Sequence, residues 1–272
     1  MLSGLFTPIS YNFAMGSNTP LSPPPQFPFP PPQPELSATQ RSASTNQTCA
    51  LTPSLIEVEG TPQQIEGPYF VDDMPNRSDI RSDTSNASVQ KGIPLRLILN
   101  VYGVDDTDGD GIGSCIPLKD AKVDIWLANP EGLYSGVQDD GTAGNDFLRG
   151  YQMTNNNGTV QFTTVYPGWY EGRAIHVHVK VRTYEGTNET LEWTSQFYLN
   201  NSINELVHTQ APYRDHGPVP MTNEEDFIYT GPSNDGLFQT NTGRHLLLNP
   251  NVDYQGYTAT FNIGLNASQS GK

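Results

Sequence analysis

From about residue 92 to the C-terminus the chain is built from short runs in which apolar and polar residues alternate. Clusters of Gly, Asn and Asp separate the runs. PLRLILNVYGV, AKVDIWLAN, TVQFTTVYP, IHVHVKVRT, EWTSQFYL and YTATFNIGL all show a period of two with β-branched or aromatic residues, the signature of half-buried strands. DDTDGDGIG, DDGTAGND and TNNNG punctuate them as turns and loops. No long stretch repeats apolar residues at helical spacing, and SINELVHT is read as one short helix. Strands of this length and spacing predict a mainly β protein: a β-sandwich of short, mostly antiparallel strands with long loops.

The N-terminal third reads differently. LSPPPQFPFPPPQPE is proline-dense and RSASTNQT is polar, so residues 1–48 are expected to be a disordered, Pro-rich leader acting as a tether. Residues 49–272 are expected to form one sandwich domain, with 49–91 an irregular arm over its core. The formal charge of −15 argues against a nucleic-acid partner, because a phosphate backbone needs a basic face. No run of about eighteen apolar residues occurs, so no membrane-spanning helix is expected. Oligomeric state is not legible.

Two cysteines, Cys49 and Cys115, each precede an expected ordered segment, and the expectation is that they pair as a disulfide. The alternative is two buried thiols. Asn-x-Ser/Thr tripeptides begin at Asn46, Asn76, Asn86, Asn157, Asn188, Asn200 and Asn266. Together these lean towards an extracellular, secreted protein, although MLSGLFTPISYNFAM lacks a basic segment and is broken by Pro8. Asp106, Asp108 and Asp110 match the first half of a calcium loop. The position where a bidentate acid belongs is Pro117, so a solvated acidic loop is the default reading.

The most informative segment runs from Tyr166 to His178: Tyr-Pro-Gly-Trp-Tyr170-Glu-Gly-Arg173-Ala-Ile-His176-Val-His178. Residues two apart in a strand project from the same face, so His176 and His178 can hold one metal ion while Val177, Val179 and Val181 pack on the other side. An isolated His-x-His is also compatible with a hydrogen-bonded pair on a polar sheet. His208, His216 and His245 show no equivalent pairing and are read as surface or loop residues. Tyrosines sit at turns nearby, at Tyr134 and Tyr170. A phenol ionises near pH 10 in water, so a tyrosinate needs a strong Lewis acid beside it. No cysteine or His-Glu-x-x-His helix offers a zinc site.

From Gln64 to Ile263 the sequence resembles the intradiol ring-cleavage dioxygenases, which include catechol 1,2- and protocatechuate 3,4-dioxygenases. The resemblance rests on Glu66-Gly-Pro-Tyr69-Phe, Val123-Asp-Ile-Trp-Leu-Ala-Asn, Gly132-Leu-Tyr134-Ser, Phe147-Leu-Arg-Gly, Pro167-Gly-Trp-Tyr170, Arg173-Ala-Ile-His176-Val-His178 and Thr194-Ser-Gln196. It is closest to a secreted, single-domain branch. It implies Fe(III) bound by Tyr134, Tyr170, His176 and His178, with Tyr170 the ligand that leaves when a catechol binds. It further implies that Arg173 stabilises carbanion-like substrate, that Gln196 lines the pocket and that Tyr69 borders the substrate. The implied reaction joins a catechol-type ring with O₂ to give a cis,cis-muconate-type diacid, without an organic cofactor. One departure stands out: Tyr170 and His176 are close in sequence, and Arg-Ala-Ile-His replaces the usual Arg-Pro-Ala-His, which implies a more open pocket. Two rivals remain: a non-catalytic sandwich that binds iron or catecholic compounds, and a copper or zinc enzyme using the histidine pair.

Overall fold

The computed structural model describes residues 60–105, 114–231 and 241–266. The proline-rich leader, Cys49 and the acidic loop with Asp106, Asp108 and Asp110 lie outside these residues, so the disulfide and calcium expectations do too. Cys115 lies within them and is buried.

Ten strands follow one another: β1 (Pro94–Asp105), β2 (Ser114–Pro117), β3 (Lys122–Trp126), β4 (Arg149–Met153), β5 (Thr159–Val165), β6 (His176–Glu185), β7 (Asn188–Leu199), β8 (Leu247–Leu248), β9 (Asn251–Val252) and β10 (Tyr257–Asn266). Two helices interrupt them, α1 (Asn201–His208) and α2 (Phe227–Thr230). The six alternating runs all become strands, and SINELVHT becomes α1. Strands β2, β4, β8 and β9 have no alternating run in the sequence to announce them. They are two to five residues long, too short to carry a period.

One sheet has the order β2-β1-β10-β9, and β5 shares an edge of β1 with β2. The other runs β4-β3-β6-β7-β8. Most pairings are antiparallel, as expected, but β1 lies parallel to β10 and β7 parallel to β8. The first parallel pair joins Leu95 to Tyr257, close to opposite ends of the domain. A parallel neighbour needs a long crossover, and here nearly the whole domain supplies it.

The inward faces form the core. Leu95, Leu97, Leu99 and Val101 of β1, with Ala259, Phe261 and Ile263 of β10, face Val177, Val179 and Val181 of β6 and Trp193 and Phe197 of β7. Phe197 and Phe261 bring ring centroids within 4.1 Å. Burying one such side chain contributes about 1.5–3 kcal/mol.

The second sheet is unusual in being covered on both faces. Val177, Val179 and Val181 fill the core, while His176, His178, Lys180 and Arg182 on the opposite face of β6 are also buried. Their cover is the segment 60–74, which enters no strand. It is tied down by Trp193 Nε1 donating to the Thr61 carbonyl at 2.8 Å, Ser195 Oγ to the Pro62 carbonyl at 2.9 Å and Gln64 N to the Thr194 carbonyl at 3.0 Å. Carboxylates satisfy the cations beneath it: Glu66 and Glu192 meet Lys180, and Asp72 and Asp124 meet Arg182.

Truncating Phe261 to Ala is expected to lower the unfolding free energy by about 3–5 kcal/mol. The check is the urea midpoint at unchanged denaturant slope; a loss below about 1 kcal/mol would mean the sheets do not pack through this ring.

Candidate functional site

The site is built on the covered face of β6. Strand alternation puts His176 and His178 side by side, with Nε2 atoms 3.0 Å apart. His176 Nδ1 lies 2.6 Å from the Ala174 carbonyl. That contact requires the proton on Nδ1 and leaves the Nε2 lone pair facing the site. Trp126 of β3 lies flat on His178, centroids 4.8 Å apart and planes 5° apart, and fixes its ring. Gly67, at φ +76°, passes over the same imidazole; a β-carbon there would sit 3.3 Å from Cε1.

The two tyrosines come from turns pressed together backbone to backbone. A β-carbon on Gly132 would lie 2.2 Å from the Trp169 carbonyl oxygen, and one on Gly168 would lie 2.3 Å from that of Asn129. Only glycines allow Gly132-Leu-Tyr134 and Gly168-Trp-Tyr170 to approach this closely. As a result the Tyr134 hydroxyl lies 3.3 Å, and the Tyr170 hydroxyl 3.4 Å, from His176 Nε2.

Four donor atoms therefore converge from three segments. Coordination bonds of about 2.0–2.1 Å, at angles between square and tetrahedral, place neighbouring donors about 2.9–3.4 Å apart. The observed separations fall in that range, so the residues fit a metal ion. Among the described residues no three His, Cys, Asp or Glu side chains gather around one point. The phenols are what complete this set, and phenolate oxygens with imidazoles suit a hard, highly charged cation.

Burial sets the protonation states. It holds His176 and His178 well below the usual histidine range, an effect reinforced by the positive charge of Arg173. Burial also raises Tyr134 and Tyr170 above the usual phenol range. Arg173 works against that rise at both, and Arg149 does so at Tyr134. At neutral pH the imidazoles are ready to bind, whereas the phenols need a cation to ionise.

The two tyrosines are not equivalent. Tyr134 is 1% exposed and stacks on Tyr69, centroids 4.5 Å apart. Its turn is held by Arg149, whose Nε donates to the Ser135 carbonyl at 3.0 Å and to Ser135 Oγ at 2.8 Å. Arg149 also reaches the Tyr69 carbonyl. Burial pulls its guanidinium down to about 10, which leaves it charged at neutral pH. Tyr170 sits on an exposed turn and is itself only partly buried.

Arg173 and Gln196 border the same place. Arg173 Nη2 donates to Gln196 Oε1 at 2.5 Å and lies 3.4 Å from the Tyr198 hydroxyl. Gln196 Nε2 donates to the Ile65 carbonyl at 2.7 Å. Tyr69 meets Tyr170 edge-on at 6.2 Å. Tyr69, Tyr134, Tyr170, Arg173, His176, His178 and Gln196 thus fall in one cluster.

Three participants carried no role in the sequence. Trp126 and Arg149 stood inside recognised motifs without an assigned task. Asp226, which receives Arg173 Nε at 2.9 Å, lies in a segment to which the sequence assigned nothing. Its only signal was the helix-start pattern of Thr222-x-x-Glu225 followed by Asp226 before Phe-Ile-Tyr. One expectation is corrected: His208 is not a surface residue but is 4% exposed, packed against Tyr213 at 5.0 Å. The end of α1 turns it inward, where its Nδ1 meets the Asn204 carbonyl at 2.8 Å.

Acid should unfold the metal-free protein early. A histidine depressed in the fold binds its proton only in the unfolded chain between its two pKa values, so stability falls as pH drops below about 6.5. The slope is about 1.4 kcal/mol per pH unit for each such group. His176 and His178 should both contribute, and His208, lowered by burial, adds a third. Urea midpoints between pH 7 and 5 measure this, and a flat profile would contradict the buried, neutral pair.

The dioxygenase family model matches residues 65–206, which span the whole cluster except Asp226. A chlorocatechol 1,2-dioxygenase of Cupriavidus pinatubonensis is 33% identical over 172 residues, 57% of this chain and 60% of that protein. The chain therefore matches less than two thirds of that relative's length. An intradiol ring-cleavage dioxygenase from Tetranychus urticae superposes with a TM-score of 0.61 at 29% identity, covering 76% of this chain and 94% of that one. The dioxygenase domain of a carbohydrate-binding fusion from a Streptomyces gives 0.50 at 28% identity, covering 75% and 97%. With seven motifs in order, the family match and four converged donors, the chain belongs to the intradiol ring-cleavage dioxygenase family.

Proposed function

We propose that the protein is an iron-dependent intradiol dioxygenase that opens catechol-type rings with O₂ to give cis,cis-muconate-type diacids. The observation that carries this is the convergence of Tyr134, Tyr170, His176 and His178, with Arg173 and Gln196 beside them. Ferric iron bound there supplies a Lewis acid that favours phenolate and catecholate oxygens, and a centre for the reaction with O₂.

The residues divide the remaining work. Tyr134 is buried, stacked and held through Arg149, so it acts as the permanent anionic ligand. His176 and His178 stay neutral and are locked by the Ala174 carbonyl and by Trp126. Tyr170, on its exposed turn, is free to swing away, and its Oη takes the proton of an arriving catechol hydroxyl. Arg173 aims its N–H donors where electron density shifts on the ring, and Gln196 holds Arg173 in line. Tyr69 supplies one aromatic wall. The route between Tyr170 and His176 is short, so the site is approached from an open side. The extracellular setting belongs to the same reading and rests on the two cysteines and the sequons.

Two experiments test it. Tyr134→Phe and His178→Ala should each abolish the red-brown ferric-tyrosinate colour together with O₂ uptake on catechol; colour that survives both changes overturns the ligand assignment. Arg173→Ala should keep iron and colour while slowing turnover by roughly a hundredfold, the scale of a lost charge-stabilising donor. Unchanged turnover would remove its role. A wild-type protein that holds iron but consumes no O₂ with any catechol would be a binding module instead.

A further inference from the structure

Asp226 is 0% exposed and lies outside the motifs that mark the site. Its carboxylate has no free acceptor position. Oδ2 receives Arg173 Nε at 2.9 Å and the Ala174 amide at 2.9 Å. Oδ1 receives the amides of Ile228 at 2.7 Å and Tyr229 at 3.3 Å, which start α2. One buried carboxylate therefore joins the substrate-side guanidinium, the amide of Ala174, the residue whose own carbonyl orients His176, and the segment 222–231. That segment walls the site from a different part of the chain. Tyr229 meets Tyr198 edge-on at 4.9 Å, and Gln64 Nε2 bonds the Ile228 carbonyl at 2.9 Å.

The charge balance around the site follows from a complete account of the cations. The chain has fourteen Lys and Arg, and only Arg41 and Lys272 lie outside the described residues. Of the described cations four line the site, and a fifth, the exposed Arg244, stands beside Tyr229 and donates to His245 at 3.0 Å. Lys180 is paired with Glu66 and Glu192, and Arg182 with Asp72 and Asp124. Arg149 is 3% exposed and spends its donors on the Ser135 and Tyr69 carbonyls and Ser135 Oγ. Arg173 is paired with Asp226, with side chains 15% and 0% exposed. An incoming ring carboxylate would meet Arg173 only as one half of an ion pair already made with Asp226, on a protein of formal charge −15.

We propose that Asp226 is a positioning and specificity-determining residue: it aims Arg173 and cancels its charge, so that the site accepts uncharged catechols and rejects ring-carboxylated ones. This rests on the dioxygenase reading above. Arg173 still offers directed N–H groups to electron density gathering on the ring. It offers no net charge to hold a second anionic group, because an isolated carboxylate that leaves water without a counter-charge is heavily penalised.

The test compares catechol with 3,4-dihydroxybenzoate in the iron-loaded wild type, Asp226→Asn and Asp226→Glu, after iron content and circular dichroism show that each variant is folded. The wild type should favour catechol in kcat/KM. Asp226→Asn should move the ratio of the two values by roughly tenfold or more towards the carboxylated substrate, and Asp226→Glu should restore it. A merely structural aspartate would lower both values by the same factor and leave the ratio unmoved, which overturns the proposal. So would a wild type that turns over both substrates equally, even if Asp226→Asn failed to fold. Binding gives a readout apart from turnover: without O₂, phenol should perturb the visible band of the wild type at lower concentration than 4-hydroxybenzoate, with the gap closing in Asp226→Asn. Iron-loaded wild type that consumes no O₂ with any catechol would defeat the functional reading. The phenol and 4-hydroxybenzoate titrations would still decide the role of Asp226.

Discussion

The burial of β6 on both faces is the constraint to which the rest of the molecule answers. A central strand with valines on one side and two histidines, a lysine and an arginine on the other cannot leave its polar face half-dry without partners. The segment 60–74 provides the cover, and with it the carboxylates of Glu66 and Asp72 and the ring of Phe70, which lies 4.6 Å from Lys180 Nζ. The partners change at one end, where His176 and His178 face two phenols instead of carboxylates. There the strand passes from a paired charge lattice to a group of neutral donors, and this change of partner is what makes a site out of a sheet face.

The same packing sets two chemically identical tyrosines in different surroundings. Tyr134 is enclosed by Tyr69, Trp126 and the turn that Arg149 holds, so its movement would disturb a well-packed aromatic cluster. Tyr170 meets Tyr69 and Tyr134 edge-on but stands on a turn open to solvent. The positions of Gly132 and Gly168 bring the two turns together, and the surroundings then separate their roles. Arg149 adds a second asymmetry: it is a buried cation held by neutral acceptors, and the group nearby best able to answer its charge is the Tyr134 oxygen once ionised.

How much of this the sequence disclosed follows from the range of each interaction. The long strands and the His-x-His geometry depend on neighbours two residues apart, so IHVHVKV announced both the strand and the face that carries its two histidines. The tyrosines were legible because their turns carry fixed motifs. Asp226 was not, because it reaches Arg173 across fifty residues and its local composition, Glu-Glu-Asp, is that of a solvated loop. His208 misled for the same reason: nothing within α1 shows that its last turn faces Tyr166 and Tyr213. The parallel pairing of β1 with β10 also left no local trace, since a strand's alternation does not say which partner it will take.

That pairing has a consequence for how the protein is made. Along most of its length β1 lies between two neighbours, β10 on one side and β5 and β2 on the other, and β10 is the last strand of the domain. During synthesis the edge of β1 that β10 will occupy must wait, carrying unpaired amide and carbonyl groups beside Leu95, Leu97 and Leu99, until about one hundred and fifty further residues have left the ribosome. Long-range pairings of this kind slow folding, because the loop must close before any contact rewards it. The strands of the sheet that carries His176 and His178, other than β8, come from the middle of the chain and can associate in that interval. Of the described strands the first to emerge is thus the last to be completed, and the nascent chain is most exposed to self-association just before β10 arrives.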